Sequence, residues 1–231
     1  MARHGRRHRR PPEDPSALNG LGVGEVADHH ARFLRTLDSA PILVGHSFGG
    51  LIVQILLDRG LGAVGVALHP APPKGVLRLP LSALRSAFPV LHNPANRHRA
   101  VGLTPEQWHF AFTNTLDEQD SRAAYARYHV PAPGRPLFQA ATANLVPNPA
   151  TRVNLRNGDR APLLLVAGSA DHTVPPAMVR ENLARYRRSG ALTELVEYRG
   201  RSHFTAGSPG WEAVADDVLA WAQQHRTGPR A

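Results

Sequence analysis

Ile42-Leu43-Val44-Gly45-His46-Ser47-Phe48-Gly49-Gly50-Leu51 is the stretch whose reading decides the fold of this chain. Ile42 to Val44 form a short apolar run ending at Gly45, which fits a strand buried on both faces. Leu51 to Leu57 follow as a nearly all-apolar helix stopped at Gly60. A serine held on so tight a strand-to-helix turn needs small neighbours two positions to either side, because the backbone is strained and the helix packs closely against the strand. Gly45 and Gly49 supply them, with His46 and Gly50 completing the turn. The turn lifts the Ser47 hydroxyl above the sheet and aims it at the first helical turn, whose free N–H groups favour developing negative charge. The backbone N–H of Phe48 is then one oxyanion donor.

Working outward, Val26, His30, Phe33, Leu34 and Leu37 recur at helical spacing and predict an amphipathic helix before the strand. Val64 to Leu68 predict a second strand, closed by Pro70, Pro72 and Pro73. Residues 74–154 differ in character: leucines and aromatics lie between prolines and no parallel-strand pattern occurs, so several short helices forming a cap over a site are expected. Pro162 to Gly168 return to a buried strand, followed by a helix over Pro176 to Arg188. Leu195, Val196 and Tyr198 mark the last strand; Trp211, Val214, Val218, Leu219 and Ala222 mark a closing helix opened by Ser208 and Pro209. Strands alternating with helices predict a mostly parallel α/β sheet with right-handed crossovers. The domain reading is a flexible basic leader over 1–20, a core from 21–73 and 155–226, and a helical cap over 74–154.

The Gly45-His46-Ser47-Phe48-Gly49-Gly50 turn, in this context, resembles the nucleophile elbow of the α/β-hydrolase family, whose acid and histidine follow the serine in that order. The family's acid lies in the loop after the next-to-last strand, where Gly168-Ser169-Ala170-Asp171-His172-Thr173-Val174-Pro175 stands, so the resemblance implies Asp171. Asp159 precedes that strand, at the wrong end of the sheet. The family's histidine lies after the last strand, where Gly200-Arg201-Ser202-His203-Phe204 stands, so it implies His203. His46, His69 and His172 read as polar residues near the cleft. The resemblance covers roughly 20–225 and corresponds to the family's C-terminal part. Residues 1–41, which precede the first strand, hold one predicted helix and no strand, so the family's N-terminal strands are expected to be missing. Two expectations follow. The strand from Ile42 to Val44 becomes an apolar edge through which the chain could form a homo-oligomer. The family's second oxyanion donor, carried on a loop marked by a His-Gly pair, has only His4-Gly5 to match it, with no strand leading in; losing that donor is worth roughly 3 kcal/mol in the transition state.

Composition narrows the chemistry. The chain has no cysteine, which excludes disulfides, thiolate metal sites and a cysteine nucleophile. No His-Glu-x-x-His or similar cluster suggests a metal, and no cofactor is expected. The formal charge of +9 owes much to Arg3, Arg6, Arg7, Arg9 and Arg10, which lie in a stretch with nothing apolar to fold against. With no interleaved aromatics or recognition helix, no nucleic-acid partner is expected. No apolar run approaches membrane-spanning length, and acidic and amide residues interrupt any signal-like stretch, so a cytoplasmic protein is expected.

The function expected is therefore that of a serine hydrolase acting on ester or related acyl bonds of a small molecule through an acyl-serine intermediate. Perhydrolases and amide or C–C bond hydrolases would use the same three residues. The alternative of another class is an impaired or inactive family member acting as a binding or interaction protein.

Overall fold

The computed structural model describes residues 15–226. The first strand, β1 (Ile42–His46), follows helix α1 (Val23–Leu34) and leads through Ser47 into α2 (Phe48–Asp58). Next comes β2 (Val64–Leu68), at the expected position. The segment after it carries α3 (Leu81–Leu91), β3 (Ala100–Val101), α4 (Pro105–Ala111), α5 (Glu118–Tyr128), β4 (Ala132–Pro133) and α6 (Arg135–Ala141). The chain returns through β5 (Leu163–Gly168), α7 (Pro176–Tyr186), β6 (Thr193–Tyr198) and α8 (Trp211–His225). Caps set several of these starts: Thr104 and Gln107 form a capping box on α4, and the Asp117 side chain accepts from Asp120 N–H at α5.

The strands β1, β2, β5 and β6 form one parallel sheet in that order, and β3 pairs with β4 in a separate antiparallel pair. Because side chains alternate along a strand, β5 feeds two cores. Leu163, Leu165 and Ala167 join the layer built with α1, α2 and α7, while Leu164 and Val166 join Val64 and Val66 against Val214, Val218 and Ala222 of α8. Helix α8 packs on β2 and β5, and Val44, on the same face of β1, is 51% exposed. Among the described residues, the strand holding Ile42 to Val44 thus lies at the edge of the sheet. No helix among the described residues is long and apolar enough to cross a membrane.

Three expectations need correction. Helix α1 buries Val23, Ala27 and Ala31, while Phe33 and Leu37 are exposed, because the smaller residues let α1 lie close against α2. Helix α8 begins after Gly210, whose left-handed backbone ends the preceding turn; the Ser208 hydroxyl donates to Phe204 O at 2.9 Å instead of capping the helix. Of the leader expected over 1–20, residues 1–14, including His4-Gly5, lie outside the described residues, whereas 15–20 are folded. Pro15–Leu18 form a 3₁₀ turn, Asn19 Oδ1 accepts from Ala100 N–H at 2.8 Å, and Arg135 donates to Gly20 O at 2.6 Å.

Truncating the central strand should cost far more than truncating the edge. Leu165→Ala is expected to lower the free energy of unfolding by about 2–5 kcal/mol. Val44→Ala, at a half-exposed site, should cost less than about 1 kcal/mol. Urea unfolding of the two variants beside the parent checks the contrast.

Candidate active site

In a parallel sheet all strands end on one side, so the residues after β1, β2, β5 and β6 meet there. Ser47 follows β1 with φ 55° and ψ −120°, a left-handed conformation that costs a side-chain-bearing residue of order 1–3 kcal/mol. Its backbone is fixed from both sides: Ser47 N–H donates to Leu68 O at 2.9 Å, and Ser47 O accepts from Gly50, Leu51 and Ala71 N–H. The flanking glycines differ in what they do. A Cβ on Gly45 would stand 2.2 Å from Gly49 O, and one on Gly50 would meet Pro70 Cβ at 3.0 Å. A Cβ on Gly49 would meet nothing within 4 Å, so close packing requires Gly45 and Gly50 but not Gly49. Phe48 is the first residue of α2, and the leading N–H groups of a helix have no acceptor within it.

Asp171 lies in the loop after β5 and is buried. Its Oδ1 accepts from Thr173 and Val174 N–H at 2.7 and 2.8 Å. Its Oδ2 accepts from His203 Nδ1 at 2.7 Å and also from His69 Nδ1 at 2.7 Å. Burial alone would push the carboxyl pKa up, but the two imidazoles outweigh it and hold the group well below the usual carboxylate range. His203 follows β6 and is fully buried; with Nδ1 donating to the carboxylate, Nε2 of the neutral ring carries the lone pair. That Nε2 has no hydrogen-bond partner among the described residues, so Ser47 and His203 are not joined by a hydrogen bond here. His46, beside Ser47, donates from Nε2 to His203 O at 2.8 Å, and the two rings lie 4.5 Å apart. Burial and the neighbouring imidazoles hold the His46 pKa well below its ordinary value, and burial lowers that of His69.

The segment between β2 and β5 is in contact with these loops. Phe112, after α4, places its ring 5.1 Å from His203 and its carbonyl accepts from Phe204 N–H at 3.0 Å. Thr173 Oγ1 donates to Ala111 O, Asn114 donates to Ala170 O, and His172 Nδ1 donates to Phe110 O at 3.0 Å. His172 is thus engaged with a main-chain carbonyl, and Asp159 precedes β5, at the far end of the sheet from Asp171. An open groove of about 680 Å³ between 77–80 and α7 is lined by none of the residues named at this site. Sequence reasoning missed the role of His69 as a second partner of Asp171, because a lone histidine after an apolar strand carries no local pattern that would single it out. His69, Asp171 and His203 offer ligand atoms within 4.8 Å of one another, but these atoms already meet as two ring N–H groups on one carboxylate oxygen, which is a hydrogen-bonding arrangement.

The sequence model of the alpha/beta hydrolase family matches residues 2–218 of the chain. Among solved structures, the chain is similar to a monoacylglycerol lipase of Paleococcus ferrophilus, with 21% identity, a TM-score of 0.60 and coverage of 90% of this chain and 77% of that one. It is similar to a pyrethroid hydrolase from Sphingobium faniae JZ-2, with 17% identity, a TM-score of 0.59 and coverage of 92% and 82%. An Arabidopsis methylesterase gives 16% identity, a TM-score of 0.57 and coverage of 91% and 81%. At these identities the likeness to the solved structures is one of fold. No curated protein matches the sequence.

Two outcomes follow from the geometry. Gly45→Ala should unfold or severely destabilise the chain, by more than about 3 kcal/mol, while Gly49→Ala should stay within about 1 kcal/mol, as read by thermal unfolding. Stability should also fall on acidification. His46 and His69 have folded pKa values below their unfolded ones, so their contribution is present above about pH 6.5 and is lost as pH falls below it. Asp171, also depressed, withdraws its share only below about pH 4. Denaturant unfolding at pH 7 and pH 5 checks the histidine window: the midpoint should be lower at pH 5.

Proposed function

Because the chain belongs to the alpha/beta hydrolase family, we propose that it hydrolyses an ester or related acyl bond through an acyl-serine intermediate. Ser47 is the nucleophile, His203 the base and then the acid, and Asp171 the group that orients the His203 ring. The observation that carries this reading is the pairing of a strained serine at the mouth of α2 with a buried Asp171–His203 couple whose Nε2 is free to take a proton. A lipase and a methylesterase among the similar structures favour an ester over other acyl bonds.

As Ser47 Oγ attacks the carbonyl carbon, its proton passes to His203 Nε2 and the carbonyl electron pair moves to oxygen. Phe48 N–H donates to that oxyanion. Asp171, ionised throughout, stabilises the imidazolium through the Nδ1–H bond. Collapse of the adduct breaks the C–O bond to the leaving alcohol, which takes the proton from Nε2. Water then repeats the sequence on the acyl-serine and returns the proton to Ser47. Residues 74–154 serve as the cap, with Phe112 placed over His203 to exclude water from the reacting atoms.

A fluorophosphonate probe tests the assignment without a known substrate. The folded parent should label, and Ser47→Ala should not. On any ester that is turned over, Ser47→Ala should lower kcat/KM by at least about a thousandfold. A folded parent that takes no label would overturn the reading and leave a binding protein as the better description.

A further inference from the structure

Asp171 Oδ2 receives two ring N–H groups, although an orienting carboxylate needs only one. The second comes from His69, which follows β2 and is fully buried. Its backbone is left-handed, φ 46°, a conformation with a cost for a residue carrying a side chain. Two contacts hold it there. His69 N–H donates to Val166 O at 2.8 Å, and the ring lies against Gly168, where a Cβ would come within 2.6 Å of His69 Cε1. His69 Nε2 has no partner among the described residues, so the ring's hydrogen bond to Asp171 is the polar contact that offsets its burial. Packing alone does not explain a strained, desolvated imidazole at this point; an apolar residue would fill the space at less cost.

We propose that His69 is a positioning residue that shares Asp171 with His203: its Nδ1–H fixes the carboxylate and draws off part of its charge, so that less negative charge faces the His203 ring. The physical reason is that an imidazolium is stabilised in proportion to the negative charge facing it, and a carboxylate oxygen already bonded to another donor offers less. Around these three residues, the titratable neighbours include His46 from the end of β1, 5.8 Å from the His69 ring and 4.5 Å from the His203 ring, and His172, next to Asp171 in the chain, whose Nδ1 is engaged with Phe110 O. The inference rests on the assignment of His203 as the base, but its test does not need turnover.

Ring ¹⁵N and ¹H resonances of the parent, His69→Gly and His69→Asn report the tautomers and the protonation of His203. Glycine removes the donor and relaxes the backbone, whereas asparagine keeps a side-chain N–H near the Nδ1 position and accepts the left-handed conformation. In the parent, both His69 and His203 should be Nδ1–H tautomers. In His69→Gly the pH at which His203 takes up a proton should rise by roughly one unit, and in His69→Asn it should stay near the parent value. An Nε2–H tautomer at His69 in the parent overturns the proposal even if the glycine variant does not fold. So does an unchanged midpoint in folded His69→Gly, or an equal shift in both variants, which would mark a purely structural effect. Failure of probe labelling at Ser47 with these shifts intact would overturn the hydrolase reading and leave the sharing of Asp171 standing.

Discussion

A carboxylate taken out of water has to be given back the hydrogen bonds and charge compensation it lost, and at Asp171 that requirement organises the whole end of the sheet. Its four acceptor contacts come from its own loop, through Thr173 and Val174, and from the residues after β2 and β6, through His69 and His203. Three strand ends are therefore locked to one charge. The segment between β2 and β5 is tied to the same loops through Thr173, Asn114 and Phe204, so the position of α4 depends on where Asp171 holds its loop.

The Ser47 turn is attached to this arrangement through β2. Ser47 N–H bonds to Leu68 O, the carbonyl immediately before His69, and Ser47 O accepts from Ala71 N–H just beyond it. The short segment 68–71 thus anchors the serine on one side and supplies a partner of Asp171 on the other. Neither end of that link involves a side chain of Ser47, which explains how the backbone of the turn can be fully fixed while its hydroxyl is left without a bond to His203.

Much of the fold was legible because its strands are short apolar runs with glycine or proline at their ends. Val64–Leu68 and Leu163–Gly168 are buried on both faces and leave no ambiguity of period. The parts that were not legible failed for physical reasons. In α1 the large apolar residues suggested one face and the small ones another; close approach to α2 selected the small ones, which depends on the neighbouring helix and not on the periodicity of α1. The strands β3 and β4 are two residues each, too short to carry any alternation. Ser47, Asp171 and His203, the residues of the proposed mechanism, could be singled out because each belongs to a local pattern around a strand end. His69 could not, because its partner lies 102 residues away and a lone histidine after a strand has no signature of its own.

The distribution of strain and packing is consistent with this division. The described residues contain two non-glycine left-handed positions, Ser47 and His69, at the ends of adjacent strands. Each costs of order 1–3 kcal/mol, and such positions persist only where the surroundings over-determine them. For His69 the surroundings are the best-packed part of the molecule, since β2 and β5 are covered by helices on both faces. For Ser47 they are not: β1 is at the sheet edge among the described residues, with Val44 exposed and Ile42 partly buried against the cluster that α8 forms with β2 and β5. The serine turn is therefore held chiefly by the main-chain bonds to 68–71 and by α2, whose Leu51, Val53, Ile55, Leu56 and Leu57 are buried. The geometry of the Ser47 turn is inherited from β2 more than from the strand that carries it.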